Sequence, residues 1–340
     1  MSAQNLLPNF SHIYIEKGAS GYPLTKLALE KFPKSTILWI EHYKDVFNRI
    51  GQDFQSQKLS MKLILAKKTA PLLYPASDMI QEYNTPNVYY ITPVLNCLYN
   101  CDYCFLQGMY NSGNIVVFVN EDDLKNAIDN KLLDPLDSSK PTVVSISYNT
   151  DLLAMENIFP LTRNWIAFIK NKPNLIIEIR TKSALFSAIQ DIKPVKNIIL
   201  SWTLSPATIC NKYEKTAPPL KSRIKNIKKA LDLGWNVRLC FDPILLVDKW
   251  YEDYSKFLIT IFNEIKGEKI RDITFGVFRM NKDYFNRIRK RDPNSNIYYA
   301  DYAIENNTVL VDKKKRKEAL DLLKQVASEF ISVDKILIWK

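Results

Sequence analysis

Glycine is scarce in this chain, with eight in 340 residues, and no pair of them fits the G-x-x-x-x-G-K-S/T or G-x-G-x-x-G spacing. Without such a loop the backbone has no close-fitting cradle for a triphosphate or a dinucleotide, so neither nucleotide-triphosphate nor NAD chemistry is expected. Histidine is scarcer still, present only as His12 and His42. No apolar run approaches the ~18 residues a membrane span needs. The opening MSAQNLLPNF also lacks the charged-then-apolar layout of a secretory signal, which predicts a soluble protein of the cytoplasm. There are only five cysteines, an odd number, and three of them fall within eight residues. That distribution suits a metal or cluster site in a reducing compartment better than a disulfide framework.

What is present is a foldable and basic chain. Hydrophobic residues make up 46% of it, enough to bury the core of one large domain, or of one domain plus a smaller one. The net charge of +11 favours a polyanionic partner such as nucleic acid, because clustered Lys and Arg release counterions from phosphates on binding. A lysine-rich composition gives the same balance without such a partner, so charge alone leaves the question open.

Residues 1–85 open with a β-like run, His12–Ile15, followed by helix-compatible segments, and read as a small N-terminal α/β region. From residue 88 apolar or β-branched runs alternate with helical patterns, as in repeated βα units around a parallel sheet. The strands are expected at Val88–Val94, Thr142–Tyr148, Leu175–Thr181, Asn197–Thr203, Asn236–Asp242 and Asp272–Phe278. Helices are expected near 121–130, 158–171, 183–191, 217–233, 249–266 and 281–290, with one more near 313–329. Pro218 and Pro219 stand where the fourth helix can begin, and Gly234 where it can end. Six units are too few to close an eight-fold barrel, so residues 86–340 predict an open, partial (β/α)6 TIM-like barrel with a C-terminal helical extension. Its site belongs at the carboxyl ends of the strands.

The segment after the first barrel strand runs Cys97-Leu-Tyr-Asn-Cys101-Asp-Tyr-Cys104, a C-x-x-x-C-x-x-C spacing. Thiolates suit iron–sulfur clusters, and one short loop can wrap three corners of a [4Fe-4S] cubane. The fourth iron then lacks a protein ligand, which is the opening that S-adenosyl-L-methionine needs to chelate it through its amino and carboxylate groups. Three thiolates are also a common zinc set. Zinc would need a fourth ligand, and His12, His42, Cys210 and Cys240 are all remote from the loop in sequence. Three buried thiols without metal are the remaining reading.

The loop from Cys97 to Gln107, ending Cys104-Phe105-Leu106-Gln107, resembles the cluster loop of the spore photoproduct lyase family of radical S-adenosylmethionine enzymes, which ends Cys-Tyr-Leu-Gln. The likeness continues through Tyr14–Lys17 with Tyr22–Leu24, Val117–Asp123, Thr181–Ser183, Ser201, and Pro219-Leu220 with Arg223-Ile224. It implies a radical SAM lyase that repairs the methylene-bridged thymine dimer of UV-damaged DNA. A 5′-deoxyadenosyl radical removes a hydrogen atom, the bridge breaks, and a cysteine returns a hydrogen. It further implies Cys97, Cys101 and Cys104 as cluster ligands, and Tyr103, Lys182, Ser201 and Asp151 as cofactor contacts. DNA is the implied partner, with an electron donor such as flavodoxin or ferredoxin. An ammonium at Lys182 can pair with the methionyl carboxylate.

Three positions depart from the family pattern. Tyr148, ahead of Asn149-Thr150-Asp151, stands where the hydrogen-donor cysteine is expected. Phe105 replaces a tyrosine beside the cofactor, and Asp301 falls where an arginine meets DNA. Strand alternation puts Cys240 on one face with Arg238 and Asp242, so Cys240 is a candidate replacement donor, and Tyr148 a candidate redox phenol. Arg287, Arg289, Lys290, Arg291 and Lys313–Lys317 are candidates to grip a nucleic-acid backbone, with Tyr284, Phe285 and the tyrosines near 300 available to stack on bases. The alternatives are a radical SAM enzyme acting on another nucleoside, an RNA base or a small metabolite, and a damaged-nucleic-acid-binding protein with a structural cluster.

Overall fold

The computed structural model describes residues 8–76 and 83–339. The chain opens with β1 (His12–Glu16), α1 (Pro23–Lys31), β2 (Thr36–Ile40), α2 (Lys44–Phe47), α3 (Phe54–Leu59), β3 (Leu63–Ala66) and β4 (Leu73–Pro75). Next, β5 (Val88–Ile91) and β6 (Val94–Leu95) lead into the cysteine loop, which ends in α4 (Leu106–Met109). There follow β7 (Ile115–Phe118), α5 (Glu121–Leu133), β8 (Thr142–Ser145), α6 (Leu161–Ile169), β9 (Leu175–Thr181) and β10 (Ile198–Thr203). Then come α7 (Ala207–Tyr213), α8 (Leu220–Asp232), β11 (Asn236–Ile244), α9 (Trp250–Glu264) and β12 (Asp272–Val277). The chain closes with β13 (Arg279–Asn281), α10 (Lys282–Arg291), β14 (Tyr302–Glu305), β15 (Thr308–Val311), α11 (Lys313–Ser328) and β16 (Ile336–Ile338).

All six expected barrel strands form, as β5, β8, β9, β10, β11 and β12, and six of the seven expected helices form as α5, α6, α8, α9, α10 and α11. The helix expected near 183–191 does not; only a single 3-10 turn, Phe186–Ala188, stands there. The Thr181 hydroxyl accepts from the Ser183 amide and the Ser183 hydroxyl from the Leu185 amide. Such local side-chain bonds compete with the helical ladder.

Two compact units are distinguished, Met1–Leu98 with Tyr110–Ile179, and Tyr99–Met109 with Arg180–Lys340. In the first, a five-stranded sheet runs β2-β1-β3-β7-β6, parallel except for β6. Its inner strands β3 and β7 are the continuous apolar runs LILA and IVVF, buried throughout, as a parallel strand covered on both faces requires. Strands β5, β8 and β9 of the same unit pair in parallel, with β4 antiparallel to β5.

In the second unit β10, β11, β12 and β16 pair in parallel, and β13, β15 and β14 form a small antiparallel sheet. Helix α8 follows Pro219, buries Arg223, Ile224, Ile227 and Ala230 at helical spacing, and stops where Gly234 takes φ +88°. That left-handed conformation suits glycine and ends the helix. Among the described residues no helix is long and apolar enough to cross a membrane.

Candidate active site

The cysteine loop leaves β6 through Asn96, whose φ of +72° lies in the left-handed region that asparagine tolerates. Its side-chain amide donates to the Ser112 and Asn114 carbonyls at 2.9 and 3.0 Å, and its side-chain oxygen accepts from the Cys97 amide at 3.1 Å. The Lys58 ammonium donates to the Cys97 carbonyl. Cys97 is half-buried, Cys101 buried and Cys104 half-buried, and none of the five cysteines is in a disulfide.

Within the second unit the loop is held by the chain that follows α7. The Asp102 amide donates to the Tyr213 carbonyl at 2.8 Å, forming an antiparallel bridge between Cys101 and Glu214. The Asn100 amide donates to the Thr216 hydroxyl at 2.7 Å, and Lys215 pairs with Asp102 at 2.8 Å and with Asp292 at 3.3 Å. Burial raises the Asp102 carboxyl against the pull of Lys215. Gln107 donates to the Cys101 carbonyl at 2.6 Å, and the Tyr298 hydroxyl to the Asp102 carbonyl at 2.5 Å. Arg287 donates to the Gly108 carbonyl at 2.7 Å and Arg291 to the Gln107 carbonyl, so these two guanidiniums brace α4. Gly108 permits this approach, because a Cβ there would lie 2.5 Å from the Tyr284 Cβ.

Behind the loop lies a buried polar network. The Tyr103 hydroxyl donates to Glu214, whose other carboxylate oxygen accepts from Arg223. Arg223 also donates to the Pro218 and Thr203 carbonyls at 2.9 and 3.3 Å, so each of its three guanidinium nitrogens has an acceptor. Burial opposes the charge of Glu214, yet Lys182 and Arg223 hold its carboxyl below the usual range. Burial, with Glu214 and Cys101 nearby, pushes the Tyr103 phenol well up. The Lys182 ammonium sits 5.0 Å from the Tyr103 ring centroid. Burial works against its charge, but Cys101 and Glu214 raise its pKa and keep it cationic.

The face of β11 expected to carry Cys240 is polar. Register sets Ser201 beside Arg238 and Thr203 beside Cys240, and Arg238 beside Asp272 and Cys240 beside Thr274. Phe241 packs on Phe257 of α9 at 5.9 Å, so alternation turns Cys240 away from that helix. Cys240 and Ser201 are fully buried. Arg238 grips Asp272 in a bidentate pair at 2.5 and 2.8 Å, and Asp242 pairs with Arg279 at 3.0 Å and Arg180 at 3.6 Å. The buried Thr274 hydroxyl has no hydrogen-bond partner among the described residues.

Other expected site residues have separate places. Tyr148 lies in a tyrosine stack in the first unit, 4.7 Å from Tyr90, which lies 5.0 Å from Tyr74. Asp151 is buried and accepts from the Ala154 amide at 3.1 Å, within the turn Leu153–Met155. The Phe105 carbonyl accepts from the Gly108 and Met109 amides where α4 begins. Arg289, Lys290, Lys313, Lys314 and Lys317 are exposed, and Asp301 pairs with Lys315 at 3.2 Å. Sequence reasoning did not find Glu214 or Lys215, because an acid and a base between two helices read as ordinary surface charge.

These residues suit a thiolate-bound cluster. Three thiolates share one loop, a cation is held over Tyr103 beside two of them, and a network of neutralised charge lies behind. Among the described residues no three His, Cys, Asp or Glu side chains converge to hold a single metal ion; a cubane instead spreads its thiolates over separate irons.

A comparison with curated protein sequences finds no match. Among solved structures, a spore photoproduct lyase variant with bound AdoMet and dinucleoside spore photoproduct superposes with a TM-score of 0.85 at 17% identity, covering 99% of each chain. A spore photoproduct lyase complexed with dinucleoside spore photoproduct gives 0.84 at 17% identity, covering 98% of this chain and 99% of that one. A further variant of the enzyme gives 0.84 at 18%, covering 99% of each. At such identities the likeness establishes the fold, a mixed α/β radical SAM architecture with a partial barrel. The sequence profile described as spore photoproduct lyase matches residues 7–309, and the chain belongs to the spore photoproduct lyase family.

Proposed function

We propose that the chain is a radical SAM lyase that repairs the methylene-bridged thymine dimer in UV-damaged DNA, working in the cytoplasm with an electron donor of the flavodoxin or ferredoxin class. The observation that carries this reading is the braced three-cysteine loop with Lys182 held as a cation beside it, in a chain matched to the family over residues 7–309. Cys97, Cys101 and Cys104 would hold the [4Fe-4S] cluster. Cluster and S-adenosyl-L-methionine together would supply radical abstraction of a hydrogen atom from the dimer.

The chain's own residues bind and orient. Lys182 offers its ammonium to the methionyl carboxylate, Tyr103 holds Lys182 on its ring face, and Ser201 offers a hydroxyl from a fully buried position. Phe105 would stand beside the cofactor, and Asp151 accepts from the Ala154 amide in the turn after β8. Thr274, with its hydroxyl uncommitted, suits a carbonyl or imide group of a pyrimidine. Cys240, its register neighbour, is the thiol that returns a hydrogen atom, and Tyr148 is a second donor, phenolic rather than thiol.

A change of substrate to another nucleoside or RNA base is favoured by one observation. The residue ahead of Asn149-Thr150-Asp151 is a tyrosine packed at a tilt on Tyr90 rather than a thiol. The radical chemistry is tested by reducing anaerobic protein with dithionite and measuring 5′-deoxyadenosine. The parent should produce it and Cys101→Ala should not; equal product from both overturns the enzyme reading.

A further inference from the structure

Three residues beyond Asp242, where β11 has ended, a cavity of about 320 Å³ opens in the second unit. It begins at Leu245, continues to Trp250 at the head of α9, and is closed by the small antiparallel sheet and the first turns of α11. Six of its lining residues set its chemistry: Trp250, Tyr302, Leu322, Asp301, Lys315 and Glu318. Two aromatic rings and a leucine supply flat apolar walls. Lys315 and Glu318, three apart on one helix, place an ammonium and a carboxylate on the same face. Lys315 is already paired with Asp301 at 3.2 Å, while Glu318 is in no ion pair among the described residues.

The chemistry of this lining selects its occupant. Two carboxylates disfavour a phosphate group inside the cavity. A planar ring that stacks on an aromatic side chain and presents N–H groups to a carboxylate, next to a carbonyl for the ammonium, fits walls and rim together. Guanine meets that requirement best among the bases, since its adjacent N1–H and N2–H groups match both oxygens of Glu318 and its O6 faces Lys315. The volume is on the scale of a base with part of its sugar. Outside the cavity, Lys313, Lys314 and Lys317 are exposed around the first turn of the same helix, placed for the phosphates on either side of an inserted base. The face of β11 that carries Cys240 lies directly upstream in the same unit.

We propose that this cavity is a base-binding subsite for a nucleotide flanking the lesion, with guanine preferred. The subsite rests on the reading that the substrate is nucleic acid, and it gives the enzyme a preference for lesion context that a dinucleoside substrate does not report.

The test uses the full chain and short dimer-containing oligonucleotides that carry a single guanine, thymine or abasic site at each of the three positions on either side of the lesion. At one position, affinity measured by fluorescence anisotropy should be strongest with guanine and about tenfold weaker with the abasic site, as loss of one base stack implies. Trp250→Leu and Glu318→Gln should each abolish that difference while leaving repair of the dinucleoside spore photoproduct at the parent rate. Equal affinity for guanine and abasic sites at all positions overturns the proposal, and so does an absence of oligonucleotide binding. The abasic series on the parent protein decides the matter even if a variant fails to fold. Failure of dinucleoside repair with a preserved abasic effect would instead overturn the assigned reaction and leave the subsite standing.

Discussion

Glu214→Gln probes the network that holds the cluster loop. The Glu214 carboxylate is fully buried, accepts from Tyr103 and Arg223, and its backbone bridges to Cys101. Glutamine preserves shape and one acceptor but removes the charge, leaving the Arg223 guanidinium buried without its counter-ion. Breaking a buried pair from one side costs about 3–5 kcal/mol. The retained acceptor puts this substitution near the lower end, at about 3 kcal/mol. Arg223→Met alone strands the opposite charge and should cost a similar amount. Both changes together leave no uncompensated charge, so the double variant should be more stable than the sum of the single losses by about 2 kcal/mol. Urea unfolding of the four proteins measures the cycle, and hydrogen exchange at the Asp102 amide, bonded to the Tyr213 carbonyl at 2.8 Å, reports the loop itself. A Glu214→Gln protein within 0.5 kcal/mol of the parent, or single effects that simply add, would refute the network as the support of the loop.

Other perturbations address separate parts of the chain. Burial pushes the Glu156 carboxyl up to about 7, despite bonds from the Thr162 and Arg163 amides. The folded state therefore binds more protons than the unfolded chain between pH 4.5 and 7. Stability should fall across that window by about 3 kcal/mol, and Glu156→Gln should flatten the slope in urea midpoints. Gly108→Ala puts a Cβ 2.5 Å from the Tyr284 Cβ and should cost about 1–3 kcal/mol with reduced iron content, whereas Gly21→Ala, with nothing within 4 Å, should be neutral in the same assays. If Cys240 is the donor, repair in D2O should place one solvent deuterium in the product thymine, since thiol hydrogens exchange, and Cys240→Ala should abolish it. Undiminished label in the variant would pass the role to Tyr148.

The sequence made the barrel legible because its strands are apolar runs of the right length between helical patterns, and α8 because proline and glycine mark its ends. It missed the failure of a helix at 183–191, where Thr181 and Ser183 satisfy their neighbours' amides locally. The cysteine spacing marked the loop. Its supports did not show, because Glu214, Lys215, Arg287 and Arg291 meet it from more than a hundred residues away. Arg287 and Arg291, two of the candidates to grip a nucleic-acid backbone, donate instead to the Gly108 and Gln107 carbonyls of the loop. Period-two reasoning placed Cys240 with Arg238 and Asp242; the pairing of β11 keeps Arg238 and Cys240 in step, a register shift between Phe241 and Ile244 interrupts the alternation at Asp242, and only the folded register reveals Thr274 beside Cys240.

The assigned reaction is tested by supplying dinucleoside spore photoproduct and S-adenosyl-L-methionine to the anaerobically reconstituted, reduced protein and quantifying thymidylyl-thymidine by chromatography. Repaired product should form and should depend on Cys97, Cys101 and Cys104 together. Intact dimer alongside brisk formation of 5′-deoxyadenosine would contradict it.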